Sequence, residues 1–285
     1  MAIKFSMQLR KHQHFLMAMP ALVWMVMFFL LPVLIVGGLS FMSRGIGGIP
    51  ELPLTLEHYQ RIFSVFNGIF ARSVWIAILS TIICLLAAYP LAFYISTRHR
   101  SITRNTILFL VILPFWTNFL VRIYAWRILL GREGPLNGFL MYIGVLQEPI
   151  QLLNTEFAVV LGLVYGYLPF MVLPIYASVE RLDWRLVEVA RDLGAKDWSV
   201  FWRVIFPLTL PGIIAGCILV FVPTIGAYVT PDMLGGTEGI MIGNLIQRQY
   251  SGTGNLPLGA ALSMMMMAVV LIALMVYARW GHEEG

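Results

Sequence analysis

Glu188-Val-Ala-Arg-Asp-Leu-Gly194, continued through Lys196-Asp-Trp198 to Val204-Ile-Phe-Pro207, is a polar island between two long apolar segments, and its spacing predicts two short helices. Asp183 stands where a side-chain oxygen caps the first helix, whose apolar side is Leu186, Val189, Ala190 and Leu193 at steps of three and four. Arg185, Glu188, Arg191 and Asp192 fall mainly on the other side. Gly194 has no Cβ and ends the helix in the left-handed conformation. Asp197 is then placed to cap a second helix carrying Trp198, Phe201 and Val204 before Pro207. The stretch 180–207 reads as a compact helical knuckle.

The segments on either side of it set the class of the chain. Apolar residues make up 59% of the 285 residues and charged residues 12%, against about 45–50% and about 25% in soluble proteins. This is the composition of an integral membrane protein, all-α, with room for about six spans of ~20 residues and their loops. We expect one membrane domain over residues 1–285 with no attached soluble domain. The formal charge of +5 does not indicate nucleic acid, because the basic residues are scattered beside apolar segments in the manner of the positive-inside rule. Cys84 and Cys217 lie inside apolar segments with no His or Cys at ligand spacing, so they read as small buried hydrophobes rather than a disulfide or metal site. The first apolar segment is too long for a signal-peptide core and lacks an Ala-x-Ala cleavage site, so it is expected to stay as an anchor.

The expected spans are 15–41, 73–95, 106–126, 157–178, 208–229 and 258–278. Lys4, Arg10 and Lys11 before the first, Arg98, His99, Arg100 and Arg104 after the second, the knuckle after the fourth and Arg279 after the sixth put both termini in the cytoplasm. Between spans one and two, turn residues around Gly45 to Pro53 precede a short interfacial helix with Tyr59, Ile62, Phe63 and Phe66 on one face; His58 reads as a surface histidine. Pro90 is a candidate kink in span two. In span three Arg122 lies roughly 24 Å beyond the inner end at 1.5 Å per residue, near the outer interface, as a gate residue or a snorkelling anchor. Leu136, Phe139, Leu140 and Ile143 form another candidate surface helix. In span five Gly212 and Gly216 allow close helix packing, and Pro223 and Gly226 break the helix where a binding site is best built. The segment 231–256, amphipathic over Ile240 to Ile246, is expected to dip back toward the membrane. Met264 to Met267 point all round span six and read as packing residues.

The knuckle resembles the signature of the permease subunits of ABC importers: Glu-Ala-Ala, three residues, Gly, nine residues, Ile-x-Leu-Pro. Glu188, Ala190, Gly194 and Pro207 match, while Val189, Val204 and Phe206 are mild replacements. The resemblance implies that the knuckle is a coupling helix docked into an ATP-hydrolysing subunit, with Asp192 and Lys196 completing the candidate contact set. Pro114-Phe-Trp-Thr-Asn-Phe-Leu-Val-Arg-Ile-Tyr-Ala-Trp126, Leu168-Pro-Phe-Met-Val-Leu-Pro174 and Pro231-Asp-Met-Leu-Gly-Gly236 are similar to segments of the spermidine/putrescine group of these permeases. What this implies is the type I importer fold in a bacterial inner membrane, with six helices and a core of five spans. The implied partners are a second homologous permease, two copies of an ATP-binding subunit that hold ATP and Mg, a soluble substrate-binding protein and the lipid bilayer.

Nothing in the chain offers ATP a site of its own. The only lysines, Lys4, Lys11 and Lys196, do not follow glycine as a phosphate-cradling loop requires, and no Ser/His/Asp set or metal constellation is evident, so no cofactor is expected on this chain. An ion-coupled secondary transporter is the rival class, yet such a protein places charges deep in its spans, and here most sit at loop ends. Candidates for the substrate path or outer gate are Trp116, Arg122, Tyr124, Trp126, Tyr228, Asp232 and Glu238: two carboxylates and several aromatic faces to receive a cation. A polyamine is the leading substrate. Ala227, where some polyamine-type members carry an acidic residue, keeps open another amine-bearing solute such as 4-aminobutyrate, an opine or an aminophosphonate.

Overall fold

The computed structural model describes residues 18–98, 100–237, 239–251 and 254–281. Five of its helices are long and apolar enough to cross a membrane: α1 (Ala18–Leu39), α3 (Asn67–Ser96), α7 (Glu156–Glu180), α9 (Asp197–Ile225) and α12 (Leu256–Gly281). The remaining expected span is a bent pair, α4 (Ser101–Trp116) and α5 (Phe119–Leu129), which meet at 91°. The shorter helices are α2 (Glu57–Val65), α6 (Pro135–Tyr142), α8 (Trp184–Asp192), α10 (Val229–Leu234) and α11 (Ile242–Tyr250). An antiparallel hairpin of β1 (Met42–Arg44) and β2 (Pro50–Leu54) is the one departure from an all-α chain among the described residues.

The bend corrects the expectation of a straight third span, and its cause is local. Pro114 has no N–H to continue the ladder, and α4 tightens into a 3-10 turn over Leu113–Trp116. Thr117 then goes extended, and its hydroxyl returns to the Pro114 carbonyl at 2.8 Å. Asn118, also extended, caps α5 by accepting from the Leu120 N–H at 2.8 Å. A stop and a start two residues apart allow the chain to turn. Pro90, by contrast, lies inside an uninterrupted α3.

The chain forms two compact units: residues up to Ser64 with Arg248–Met267, and Val65–Gln247 with residues from Ala268 on. In the first, α1 contains a π turn at Val26–Leu30 ahead of Pro32. The hairpin is fastened to α2, where His58 Nε2 lies 3.1 Å from the Met42 carbonyl and the Tyr59 hydroxyl 2.8 Å from that of Ser40. His58 is therefore buried rather than at the surface, and Phe63, expected beside Ile62, is exposed. The contact with the Met42 carbonyl is what draws His58 inward.

In the second unit α7 packs against both α3 and α9. α3 presents a stripe of small residues, Cys84, Ala88 and Ala92, to Met171, Val172, Ile175 and Val179 of α7, with Ile213 and Val220 of α9 closing the cluster. Small residues let helices approach closely where no water-driven collapse holds them together. Gly212 and Gly216 do the same between α9 and α7: a Cβ on Gly212 would overlap the Ser178 hydroxyl and the Pro174 carbonyl, and one on Gly216 would lie 2.7 Å from the Met171 sulfur. A Tyr89–Thr209 hydroxyl pair at 3.1 Å ties α3 to α9.

Candidate functional site

The knuckle forms between α7 and α9. The Asp183 carboxylate accepts from the Arg185 N–H at 3.1 Å and caps α8 as expected. At its other end Gly194 has φ +85°, with its N–H on the Arg191 carbonyl at 2.8 Å and the Ala195 N–H on Ala190 at 3.1 Å. Asp197 does not cap the next helix. It is the first residue of α9, and its Oδ1 instead accepts from Arg191 Nε and Nη2 at 3.1 and 3.0 Å, pinning the two arms of the turn together. Nor does the second helix end before Pro207. It runs on as α9 through a π turn at Phe201–Ile205, in which the Phe206 N–H reaches back to Phe201, so Pro207 lies within the long helix.

The face assignment of α8 also changes. Val187 is the buried residue, 3% exposed, packed with Leu182, Val200 and Ile205 and flanked by Ala190 and Ala195. Of the four residues on the apolar side read from the sequence, only Ala190 packs inward. Leu186, Val189 and Leu193, the last 83% exposed, face outward. A short helix with apolar residues on two sides satisfies the same periodicity with either side buried, and the packing of Val200 and Ile205 decides. The outward side is an apolar patch beside exposed Glu188, Asp192 and Lys196, with Trp198 nearby in sequence at 73% exposed. Such a patch on a protruding turn suits a docking surface.

At the far end of α9 the helix stops at Ile225 with Gly226 as its cap, and the chain passes through Ala227 and Tyr228 into α10. The following segment packs against α3 and the end of α9. The Met241 N–H donates to Asn244 Oδ1 at 2.7 Å and the Ile242 N–H to the Ser73 hydroxyl of α3 at 2.8 Å. Ile242, Gly243, Asn244 and Leu245 are buried, and a Cβ on Gly243 would overlap the carbonyls of Gly226 and Ala227. The break in α9 is thus braced by a segment distant in sequence. Nothing in the sequence marks Ser73 for this role.

α10 packs on α5, which brings the helix carrying Asp232, with Tyr228 at its start, against the helix of Arg122, Tyr124 and Trp126. Trp116 stands apart before the bend, 74% exposed and edge-on to Phe109 at 5.5 Å. Glu238 lies outside the described residues. Because Arg122 follows the bend, the straight-rise estimate of its depth does not hold. Its guanidinium lies 5.4, 5.6 and 6.0 Å from the rings of Phe115, Phe119 and Tyr165, and Trp126 packs edge-on to Tyr165 at 5.4 Å. Nε and Nη1 of Arg122 are buried without a hydrogen-bond partner. Sequence reading missed these three rings, although the aromatic spacing around Arg122 was a usable signal for two of them.

Arg122 is half-buried with two unpaired nitrogens, and desolvating them without hydrogen bonds costs stability that an apolar residue of similar length does not. Arg122→Met is therefore expected to leave the melting temperature of the purified chain unchanged or to raise it by a few degrees. A loss of more than about 2 kcal/mol, measured by thermal unfolding in detergent, would show that the guanidinium is satisfied within the chain.

Six apolar segments, an exposed apolar knuckle at the start of α9 and a braced helix break at its end describe a multi-span membrane protein. Residues 86–281 match the family of binding-protein-dependent transport system inner membrane components, and the chain belongs to that family. It is 45% identical over 260 residues to the spermidine/putrescine transport system permease protein PotB of Haemophilus influenzae, covering 90% of each chain. To the PotB protein of Escherichia coli K12 it is 42% identical over 257 residues, 90% of this chain and 93% of that one. Among solved structures, a bacterial transporter importing the acidic polysaccharide alginate matches all of this chain and 99% of its own with a TM-score of 0.70 at 16% identity. The MetNI methionine ABC transporter matches 76% of this chain and 96% of its own with a TM-score of 0.54 at 17% identity. These two likenesses are of fold. The protein is a multi-pass inner-membrane permease subunit of an ABC importer, and among the described residues no group of three or more His, Cys, Asp or Glu is arranged to hold a metal ion.

Proposed function

We propose that this permease serves an importer of polyamines, spermidine or putrescine, and works as one of two homologous membrane subunits above a pair of ATPase subunits. The observation that carries the substrate is identity of 42–45% to two spermidine/putrescine permeases over nine-tenths of the chain. In this reading a soluble binding protein selects the solute and delivers it to the end where α9 breaks. The ATPases close on the knuckles, each through Leu186, Val189 and Leu193 with Glu188, Ala190, Asp192 and Lys196 around them; Gly194 supplies the turn and Pro207 lies in the first part of the long helix that acts as the lever. Energy enters because nucleotide-driven closure favours one of two conformations of the permease pair. Arg122 acts at the outer gate, where Tyr124, Trp126, Tyr228 and Asp232 are close in the fold, and Trp116 and Glu238 remain candidates for the same path.

A second substrate class has one specific observation in its favour. The two unpaired nitrogens of Arg122 suit a solute that carries a carboxylate, such as 4-aminobutyrate, better than a polyamine. Uptake of labelled putrescine, spermidine and 4-aminobutyrate by the reconstituted complex with its own binding protein separates the two. We expect saturable polyamine uptake that 4-aminobutyrate does not inhibit; saturable 4-aminobutyrate uptake without polyamine uptake would reverse the assignment.

The same reading puts both termini and the knuckle in the cytoplasm, with six spans. In a cysteine-free background, a membrane-impermeant thiol reagent added outside is expected to label Tyr142→Cys, which is highly exposed on α6, and to spare Ser101→Cys and Leu193→Cys. The opposite pattern would invert the topology.

A further inference from the structure

The end of the bundle that carries the knuckle also carries a polar cleft of about 510 Å³ lined by Ser96, Thr97, Arg98, Arg104 and Trp184. It lies where apolar α3 ends, α4 begins and α8 starts. Its charges do not balance. Arg104 is paired through Nη1 with Glu180 at 3.2 Å, but its Nε is buried and has no hydrogen-bond partner. Arg98 has its guanidinium carbon stacked 3.9 Å from the centre of the Tyr94 ring. Two arginines thus face one carboxylate. The first turn of α4 adds to the imbalance, since it has neither a side-chain cap nor an acidic residue to oppose its free N–H groups.

The chemistry that completes such a cleft is an oxyanion with several acceptor oxygens, and the surroundings narrow its source. α4 leaves the cleft with a stripe of exposed apolar residues along one side, Ile102, Phe109, Leu113 and Trp116, at helical steps of seven, four and three that keep them on a single face. Tyr94, half exposed, and Trp184 stand at the rim, the level that amphipathic rings occupy between lipid headgroup and hydrocarbon. Cationic donors at the end of an apolar helix, followed by apolar surface running along the next one, match a ligand with an anionic head and long apolar tails. Free phosphate or an acidic side chain of another protein has no use for the stripe.

We infer that this cleft is a binding site for the phosphate of an anionic phospholipid, held by Arg98 and Arg104; the Ser96 and Thr97 hydroxyls beside them are turned to the Phe93 and Tyr94 carbonyls. The site adjoins the coupling knuckle. Trp184, the first residue of α8, packs edge-on to Phe93 of α3 at 6.1 Å and forms one wall of the cleft. A seated headgroup therefore holds together the α3–α4 corner and the root of α8.

The test uses the intact transporter complex purified in detergent. Native mass spectrometry with added phosphatidylglycerol is expected to show retained lipid that phosphatidylcholine does not replace. The Arg98→Gln/Arg104→Gln double variant should retain about 10-fold less phosphatidylglycerol or lower still, taking each arginine near a charged membrane surface to contribute about a few-fold to binding. Arg61→Gln, an exposed arginine on α2, should match the wild type. Equal retention of the two lipids, or no change in the double variant, would overturn the inference. So would displacement of the lipid by millimolar inorganic phosphate, which would make the cleft a free-anion site. A further result against it would be protection of Arg98→Cys from thiol labelling by the ATPase subunit alone, unchanged when anionic lipid is removed, which would assign the cleft to a protein partner. Impaired folding of the double variant is checked by its melting temperature, and in that event the single Arg98→Gln variant, which leaves the Arg104–Glu180 pair intact, carries the comparison.

Discussion

Leu193→Glu is expected to lower uptake by the assembled transporter at least ~10-fold while leaving insertion and thermal stability of the chain as they are. The side chain is 83% exposed at the last turn of α8, so no packing within the chain is lost, and surface changes of this kind stay within about 0.5 kcal/mol. If the knuckle docks as proposed, the same position is an apolar anchor at the end of its outward patch, where truncating or charging one residue costs about 2 kcal/mol or more of association energy. That is a factor of about 30 in affinity. The contrast with Val187→Glu gives the test its edge: Val187 is 3% exposed among Leu182, Val200 and Ile205, and a carboxylate there should prevent accumulation of folded protein. Uptake and substrate-stimulated ATP hydrolysis by Leu193→Glu at wild-type levels would remove the knuckle from the coupling pathway.

The second large effect is on stability. Gly212→Leu should lower the melting temperature by roughly 10 °C, taking about 3 kcal/mol for overpacking and about 3 °C per kcal/mol for a domain of this size. Position 212 faces the Pro174 carbonyl and the Ser178 hydroxyl of α7 without room for a Cβ, and the backbone carbonyl cannot rotate aside as a flexible side chain does. Gly68→Ala near the start of α3 serves as the control, because nothing lies within 4 Å of the added Cβ and alanine favours the helix. Thermal unfolding in detergent followed by fluorescence measures both. A Gly212→Leu chain as stable as the wild type would mean that α7 and α9 are not held at the separation seen here.

Much of the membrane architecture was legible because hydrocarbon leaves few choices. Long apolar runs have to be helices, since every backbone N–H and C=O in lipid must be satisfied within its own segment. That argument located α7 and α12 closely and placed α3 and α9, although α9 starts at Asp197, well before the expected 208; the turn at Gly194 with the cap at Asp183 followed from residue types that act on their immediate neighbours. The two glycines of α9 were readable for the same reason: only a missing Cβ permits such close approach, whichever helix comes near.

What the sequence left open were choices between alternatives of equal local merit. Leu186, Val189 and Leu193 and the Val187 side of α8 are both apolar, and only the arrival of Val200 and Ile205 from the other arm decides which is buried. His58 was solvent-facing by its neighbours in sequence and became buried because the hairpin delivers the Met42 carbonyl to it. Pro114 and Asn118 stand at the break that the sequence reading ran through, and the 91° turn between α4 and α5 depends on what α5 packs against, here α7 and α10. The gate candidates divide in the same way. Asp232 and Arg122 are brought onto neighbouring helices by contacts between segments about a hundred residues apart, a relation that no periodicity encodes, whereas Trp116 is left beside Phe109, its neighbour one helical repeat earlier. Sequence alone determined that this chain is a bundle of membrane helices with a polar turn between the fourth and fifth, because solvation by lipid acts on each segment separately. Tertiary structure decided which face of that turn is offered outward and which rings surround Arg122, because both depend on surfaces that meet only when distant segments pack.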